Sequence, residues 1–363
     1  MDGGRARKQL GLQVDEVRAA GRGPELNDGM LVKLLNFFGL REQPFGVAPD
    51  PSFLYLSATH REALASLVYG IETGRGFLAL IAKPGMGKTT LLFHLLERFR
   101  GSARTAFLFQ TQCTSREFMQ LLAGELGFET DGQDFVRIHD EFNRQLLKEA
   151  LAGRRFIVVI DEAQNLHNSV LETVRLLSDF ETPRAKLLQI VLAGQPELGD
   201  KLASHGMAQL RQRVSIVAGL QKLSSEEIKN YVQHRLHVAG YAGEPLLTAE
   251  ALAIMTDYTE GVPRNINNFC FTALSVACAL RQKTVDAVIA KEVIADLDIS
   301  RHLSQPDRAR GRKLASQKPR RAPTNGEPEP VPPPGPATEK PANMTPAEAA
   351  AYMKQVIRSL RNS

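Results

Sequence analysis

Residues 80–92 read LIAKPGMGKTTLL, and this short stretch decides the fold. Its second half, GMGKT, ends like the phosphate-binding pattern G-x-x-x-x-G-K-[ST], but Ala82 stands where that pattern begins with glycine. The stretch follows the apolar run FLALIA and precedes the helical pattern TLLFHLLERF, which is the strand, loop and helix order that such a loop requires. The sequence therefore predicts a phosphate site, with a decayed site and a chance match as the alternatives.

Each residue of the predicted loop has a specific expected role. Backbone N–H groups at a helix N-terminus converge on phosphate oxygens, and Gly85 and Gly87 leave room for that approach. Lys88 is expected to reach the β and γ phosphates, and the Thr89 hydroxyl to bind Mg²⁺. A methyl group at Ala82 adds little strain if the backbone φ there is negative. The remaining residues predicted to line the nucleotide are Ala82, Lys83, Pro84, Met86 and Thr90.

A second motif, FIVVIDE at residues 156–162, is an apolar strand that ends in two acids. Asp161 is predicted to hold the Mg²⁺ shell, and Glu162 to polarise the water that attacks the γ phosphate. A buried strand followed by ordinary surface acids is the alternative. Because the acids follow the phosphate loop by some seventy residues, the two motifs together predict hydrolysis of a nucleoside triphosphate.

Five short apolar runs alternate with longer helical patterns between residues 31 and 300. Runs this apolar suit strands that are covered on both faces, and their alternation with helices predicts a mostly parallel sheet in an α/β fold. The five runs are GFLALIA, TAFLFQ, FIVVID, LLQIVLA and VSIVAGL.

Two of the helical patterns carry specific expectations. One helix is predicted to begin at a Ser115 cap. In the other, HDEFNRQLLKEALAG, four apolar residues recur at helical spacing: Phe142, Leu146, Leu147 and Leu151.

After the last apolar run the strand patterns end and only helical patterns follow. Residues 224–227, SSEE, read as a helix-capping sequence, and helical patterns follow at 248–257, 264–281 and 286–298. The sequence therefore predicts a small all-helical unit of about four helices behind the sheet.

Positive charge beside the γ phosphate is a further requirement of this chemistry. Arg264, in GVPR at the start of a predicted helix, is placed to reach the phosphate. Arg211 and Arg213, in LRQRVSI, are placed to reach a neighbouring subunit's site, and the sequence does not choose between them. Gln195, after the strand LLQIVLA, is a candidate polar sensor between the acids and the water. Each arginine has an ordinary surface role as its alternative.

These motifs together resemble the AAA+ ATPases, and more closely the ExeA-type, general secretion pathway protein A group. The resemblance runs from FFGLREQPFGVAPDPSFLYLSATHREALASLVYGIETGRGF through GKTTLL, FIVVIDEAQNL, LLQIVLAGQPEL, LRQRV and GVPRNINN. It implies a five-stranded parallel sheet in an αβα sandwich with a helical lid, ATP with Mg²⁺, and a nucleotide-dependent oligomer. It also implies Lys88 and Thr89 for Walker A, Asp161 and Glu162 for Walker B, Gln195 for sensor one, Arg264 for sensor two, and Arg211 or Arg213 as the finger. The group is related in turn to transposition-helper ATPases.

The chain departs from that resemblance at both the loop and the tail. The loop has Ala82-Lys83-Pro84 where the group usually has glycine and an acidic residue. No run approaches the roughly 18 apolar residues of a membrane span, and no signal peptide is visible. We therefore expect a cytoplasmic protein, recruited to the inner face of the membrane by a partner.

The predicted domains are an N-terminal extension (1–30), the nucleotide domain (31–218), the lid (219–300), a linker (301–343) and a tail helix (344–363). The linker is basic and then rich in proline, too rich to fold. The basic charge is concentrated at the C-terminal end, because residues 301–363 hold 12 Lys and Arg against 5 Asp and Glu, whereas residues 31–300 hold 28 against 30. Cys113, Cys270 and Cys278 form no C-x-x-C pair and are expected to be buried thiols.

Three functions fit these observations. The first is an oligomeric ATPase that drives or switches assembly of an envelope secretion, polysaccharide-export or pilus system, with the tail helix as a docking peptide. The second is a DNA-associated ATPase whose segment RARGRKLASQKPRR contacts phosphates. The third is a switch that binds ATP and scarcely turns it over, against which the intact Glu162 argues.

Overall fold

The computed structural model describes residues 28–109, 112–127, 135–177, 181–182 and 185–304. The chain divides into two compact units, residues 1–294 and 295–363, and the described part of the second is the end of one helix. The predicted tail helix, the linker beyond residue 304 and the basic segment within it lie outside the described residues. They stay predictions.

Five strands form the central sheet. Seven strands occur among the described residues: β1 (Phe77–Ile81), β2 (Ala103–Leu108), β3 (Arg155–Ile160), β4 (Glu181–Thr182), β5 (Ala185–Lys186), β6 (Leu188–Gly194) and β7 (Val214–Gly219). The sheet has the order β2-β3-β6-β1-β7, and every neighbouring pair in it is parallel. β4 and β5 form a separate antiparallel pair. The predicted five-stranded parallel sheet is confirmed.

The interior of the sheet explains why the strand signal is so apolar. β6 is buried along its whole length, and β3 is buried from Phe156 onward. Such burial is expected of central strands with helices on both faces. The edge strand β7 has partly exposed positions, among them Val217. Cys113 and Cys270 are buried as predicted, whereas Cys278 is partly exposed.

Helices cover the sheet on both faces. In chain order they are α1 (Asp28–Phe38), α2 (Ala58–Glu72), α3 (Lys88–Arg98), α4 (Ser115–Glu125), α5 (Phe135–Leu151), α6 (Asn168–Leu177), α7 (Pro196–Ala203) and α8 (Ala208–Arg213). α2 approaches the sheet so closely that a Cβ on Gly70 would lie 2.4 Å from Leu78 Cδ2. None of the described helices has the length and apolar character needed to cross a bilayer.

One local prediction needs correction. The cap of α4 is Thr114, not Ser115, because the Thr114 hydroxyl accepts the N–H of Glu117 while the Glu117 carboxylate accepts the N–H of Thr114. In α5, Leu146 is buried, but Leu147 is 43% and Leu151 90% exposed. The predicted helix is confirmed as α5, and these two leucines lie outside its buried face.

Four helices follow β7. They are α9 (Ser225–Val238), α10 (Ala249–Thr259), α11 (Pro263–Ala279) and α12 (Ala287–Ser304), and the predicted fold class with helices behind the sheet is confirmed. α9 begins with the predicted capping box between Ser224 and Glu227. α12 extends to Ser304, beyond the predicted start of the linker at residue 301. We refer to α9–α12 as the lid.

Candidate active site

The loop between β1 and α3 has the backbone shape that phosphate binding requires. Gly85 and Gly87 have positive φ angles of 78° and 86°, and Gly87 is the residue before the first turn of α3. A side chain at either position would strain the backbone. Ala82 does not have a positive φ, is buried, and donates its N–H to Gly194 O at 3.0 Å. Its methyl group therefore adds no backbone strain.

The predicted loop residues meet the predicted acids. Thr89 Oγ1 donates to Asp161 Oδ2 at 2.6 Å, and Lys88 Nζ lies 3.2 Å from Glu162 Oε1. These contacts form because β1 and β3 are parallel strands on either side of β6, so their C-terminal ends meet at one edge of the sheet. The Lys88 side chain is only 6% exposed. The sheet thus brings Lys88, Thr89, Asp161 and Glu162 into one cluster.

Glu162 is held in an unusual conformation. Its φ is 52°, in the left-handed region that non-glycine residues rarely adopt, and such outliers concentrate at functional sites. Two amides donate to its Oε2, from Gln195 at 3.0 Å and from Gln164 at 2.6 Å. Gln164 Oε1 also accepts the N–H of Gln195 at 3.1 Å. Gln164 was not predicted, although its place two residues after Glu162 was a usable signal.

The pKa values of the two acids are shifted in opposite directions. Burial raises the pKa of Asp161, and this effect outweighs the Thr89 hydrogen bond and the Lys88 charge. Burial also acts to raise the pKa of Glu162, but hydrogen bonds from Gln164 and Gln195 and the charge of Lys88 outweigh it, so the pKa lies below its usual value. Glu162 is therefore a carboxylate at neutral pH, as a water-polarising group must be.

Of the predicted arginines, one lies at the loop and two do not. The N–H of Arg264 donates to Gly85 O at 3.1 Å, so the start of α11 rests on the phosphate-binding loop. Arg211 and Arg213 precede β7, whose first residue pairs with Phe77 at the start of β1, whereas the loop follows the end of β1. A five-residue strand spans roughly 16 Å. Within this chain the two arginines therefore lie at the N-terminal ends of the strands, whereas the loop lies at the C-terminal ends.

A cavity beside the loop was not predicted. Met86, Gly87 and Thr90 form one wall, and the other walls come from the segment before α2, from His60 in the first turn of α2, from Leu223 and from the lid. Those residues include Phe53, Tyr55, Tyr231, Arg235 and Pro263. The Arg235 guanidinium lies 4.9 Å from the centre of the Phe53 ring and donates to the Tyr231 hydroxyl at 3.1 Å. Phe53 and Pro263 are 210 positions apart in the sequence, so no local pattern reveals the cavity.

The residues at the loop suit a magnesium ion. Mg²⁺ prefers oxygen ligands and is commonly bound by one or two protein groups together with substrate phosphates. The Thr89 hydroxyl and the Asp161 carboxylate form such a pair. Among the described residues no group of three or more His, Cys, Asp or Glu could hold a metal ion.

Comparison with known proteins agrees with this geometry. A family model described as an AAA domain matches residues 71–202. General secretion pathway protein A of Aeromonas hydrophila is 39% identical over 244 residues, which cover 67% of this chain and 44% of that protein. The chain belongs with the ExeA-type AAA ATPases. It spans less than half the length of this ExeA-type relative.

Solved structures support the same fold. The Aeropyrum pernix ORC2 protein, described with ADPNP and ADP, is 14% identical with a TM-score of 0.55, over 70% of this chain and 71% of that one. The Drosophila ORC bound to DNA is 16% identical with a TM-score of 0.53, over 79% and 74%. At sequence identities this low, the similarity to these structures shows the fold of the chain and says nothing about its function.

Proposed function

We propose that the chain binds ATP with Mg²⁺ and hydrolyses it at the cluster of Lys88, Thr89, Asp161 and Glu162. One observation carries the proposal: a phosphate loop, two acids and two amides from three separate parts of the chain converge at one edge of the sheet. Mg²⁺, when bound, neutralises charge on the phosphates. The residues that would hold it are Thr89 and Asp161.

Each side chain has a specific task in this proposal. The N–H groups at the start of α3 bind the phosphate oxygens. A triphosphate competes with Glu162 for Lys88, so its binding releases one of the contacts that hold the Glu162 carboxylate. Gln195 and Gln164 keep that carboxylate in place, and Glu162 then accepts the proton of the attacking water. Arg264, whose backbone contacts Gly85, supplies positive charge near the γ phosphate.

The cavity next to Gly87 and Thr90 is the proposed place of the base. It adjoins the phosphate loop, and its walls are mainly aromatic and apolar, as is usual for small-molecule sites. Tyr231 and Pro263 belong to the lid, whereas Phe53 comes from the segment before α2. A bound nucleotide would therefore contact both the sheet domain and the lid.

We further propose that activity needs an oligomer. Arg211 and Arg213 lie at the end of the sheet opposite this chain's own loop, so we assign one of them to a neighbouring subunit's site, and the choice between them stays open. The name of the Aeromonas relative motivates an envelope-assembly partner. We also propose that residues 344–363 contact that partner. We propose in addition that the protein is cytoplasmic and is recruited to the inner face of the membrane.

The test is ATP turnover against protein concentration in the presence of Mg²⁺. Turnover per subunit should rise with concentration in the wild type. Glu162→Gln should keep nucleotide binding and lose roughly 100-fold or more in turnover, since a general base contributes about 10²–10⁴. Arg211→Ala/Arg213→Ala should abolish the concentration dependence. Full turnover in Glu162→Gln, or failure of the wild type to bind ATP, contradicts the proposal.

A further inference from the structure

The first turn of α2 contacts three other parts of the molecule. We call residues 57–60 the cap turn, because the Ser57 hydroxyl is the N-cap of α2. The N–H of Ala58 donates to Glu227 Oε1 at 2.9 Å, in the first turn of lid helix α9. Thr59 Oγ1 accepts the N–H of Gln221 at 3.3 Å, between β7 and α9. His60 Nε2 lies 3.0 Å from Met86 O, in the phosphate-binding loop.

The hydrogen bond to Met86 places a proton on Nε2 of His60. Because the Met86 carbonyl only accepts, Nε2 carries a proton, and in the neutral ring Nδ1 accepts from the Ser57 hydroxyl at 2.7 Å. His60 and Ser57 are 3% and 2% exposed. Burial lowers the pKa of His60 and favours the neutral ring, while the Met86 carbonyl and the Glu227 charge act in the opposite direction. The ring is therefore a rigid link from the cap turn to the loop.

That link ends where the loop meets the nucleotide. Met86 immediately precedes Gly87, and a Cβ on Gly87 would lie 3.3 Å from His60 Nε2. The orientation of the Met86 carbonyl is fixed by the same peptide plane that carries the Gly87 N–H. Holding this carbonyl therefore fixes the direction of a backbone donor in the phosphate-binding curve.

Glu227 joins two helix N-termini. One carboxylate oxygen accepts the N–H of Ala58, and the other accepts the N–H of Ser224 at 3.0 Å. The glutamate of a capping box usually accepts an N–H group of its own helix, whereas Glu227 also accepts an N–H group of α2. The hydrogen bond to Ala58 is the main reason that the pKa of Glu227 lies below its usual value. A break in this bond would leave an N–H of α2 without its carboxylate acceptor.

We propose that Glu227 and His60 are positioning residues that couple the lid to the phosphate-binding loop through the cap turn. The route runs from α9 through Glu227 to Ala58, and from the same turn through His60 to Met86. Movement of the lid relative to α2 changes how the loop is held, so nucleotide affinity depends on both residues. Glu227 does not line the cavity proposed for the base, whereas His60 does, so the role of His60 is tested by comparing two variants that differ in the donor they offer to Met86 O. This inference rests on the proposed nucleotide binding.

Two pairs of substitutions test the coupling in the full 363-residue chain. Glu227→Gln keeps the shape of the side chain but leaves one acceptor oxygen for the two N–H groups, of Ala58 and Ser224, that the carboxylate accepts. Ser224→Ala weakens the cap of α9 and leaves the Ala58 contact in place. His60→Gln places an amide near the former Nε2 and keeps a donor for Met86, whereas His60→Asn places it near the former Nδ1 and loses that donor. Equilibrium binding of the fluorescent nucleotide mant-ADP with Mg²⁺ is measured for each variant, with thermal unfolding alongside.

The coupling predicts a distinctive pattern. Glu227→Gln and His60→Asn should each weaken mant-ADP binding about fivefold, the effect of one hydrogen bond of about 1 kcal/mol. Ser224→Ala and His60→Gln should stay within twofold of the wild type. The double variant Glu227→Gln/His60→Asn should lose clearly less than the product of the two single effects, because both act on one route.

Several results would overturn the inference. Equal affinity for Glu227→Gln and Ser224→Ala would mean that Glu227 only caps its own helix. Equal losses in His60→Gln and His60→Asn would mean that His60 is only a packing residue. Multiplicative effects in the double variant would mean independent sites. If wild-type chain fails to bind mant-ADP, the proposed function fails as well, so the two failures are distinguishable.

Discussion

Gly85 supports a quantitative prediction, because the lid rests directly on it. A Cβ built at Gly85 would lie 2.9 Å from Arg264 Cβ and 3.2 Å from Val262 Cγ1. Both atoms are attached close to the backbone, so neither can move away by a simple rotation of a long side chain. Gly85→Ala must therefore displace the start of α11 or distort the loop.

Three effects set the size of the loss. An alanine with φ near +78° costs about 1 kcal/mol relative to glycine. Overpacking of a tight contact costs about 1–3 kcal/mol. Displacement of α11 also weakens the hydrogen bond from the Arg264 N–H to Gly85 O, worth about 1 kcal/mol. We expect Gly85→Ala to lower the free energy of unfolding by about 3–5 kcal/mol and to weaken nucleotide binding.

Gly101→Ala is the matched control. Gly101 also has a positive φ, 86°, but a Cβ there would meet nothing within 4 Å. It should lose only about 1 kcal/mol through backbone strain and bind nucleotide normally. The assay is urea unfolding of both variants beside the wild type, followed by mant-ADP binding. If Gly85→Ala loses no more stability than Gly101→Ala and binds equally well, the lid does not press on the loop in solution.

Three further predictions concern other parts of the fold. Leu146→Ala should lower the free energy of unfolding by about 2–5 kcal/mol because Leu146 is fully buried, whereas Leu147→Ala on the exposed side of α5 should change it by less than about 0.5 kcal/mol in urea titrations. Thr114→Ala should cost about 1 kcal/mol and Thr114→Asn much less, since asparagine also caps; equal losses would argue against the cap. Glu149 has a pKa lowered chiefly by its hydrogen bond from a neighbouring arginine, so its contribution to stability is present above about pH 4.3, its unfolded pKa, and is lost as pH falls through the lower folded value. Glu149→Gln should therefore be less stable at pH 7 and show a shallower decline of stability below pH 4.3, measured by unfolding from pH 7 to 2.

Local pattern determined much of this protein. The five apolar runs became the five sheet strands because central parallel strands are buried on both faces and must be apolar along their length. The position of GMGKT between a strand and a helix predicted the loop, and the positive φ angles of its two glycines agree with the reason for having glycine there. Ser224 and Glu227 predicted their capping box because such a box involves residues only three apart.

Local pattern failed where a choice depended on surroundings beyond the segment. Thr114 and Ser115 both carry hydroxyls, and the backbone conformation at the helix start decided which one caps. Leu147 and Leu151 fit the helical period, but the direction from which the core meets α5 left them exposed. Periodicity states that a helix has an apolar side; it does not state how wide the covered stripe is.

Tertiary structure alone decided the contacts that give the site its character. Strand order placed Gln195, at the end of β6, beside Glu162, at the end of β3, and the return of the lid placed Arg264 on Gly85. The contact between Ala58 and Glu227 joins residues 169 positions apart. A sequence period of 2 or 3.6 reports the environment of one segment, whereas these contacts depend on how separate segments are arranged around the sheet. The sequence by itself therefore predicted the residues of the candidate site, and the packing of the lid and strands determined which residues contact them.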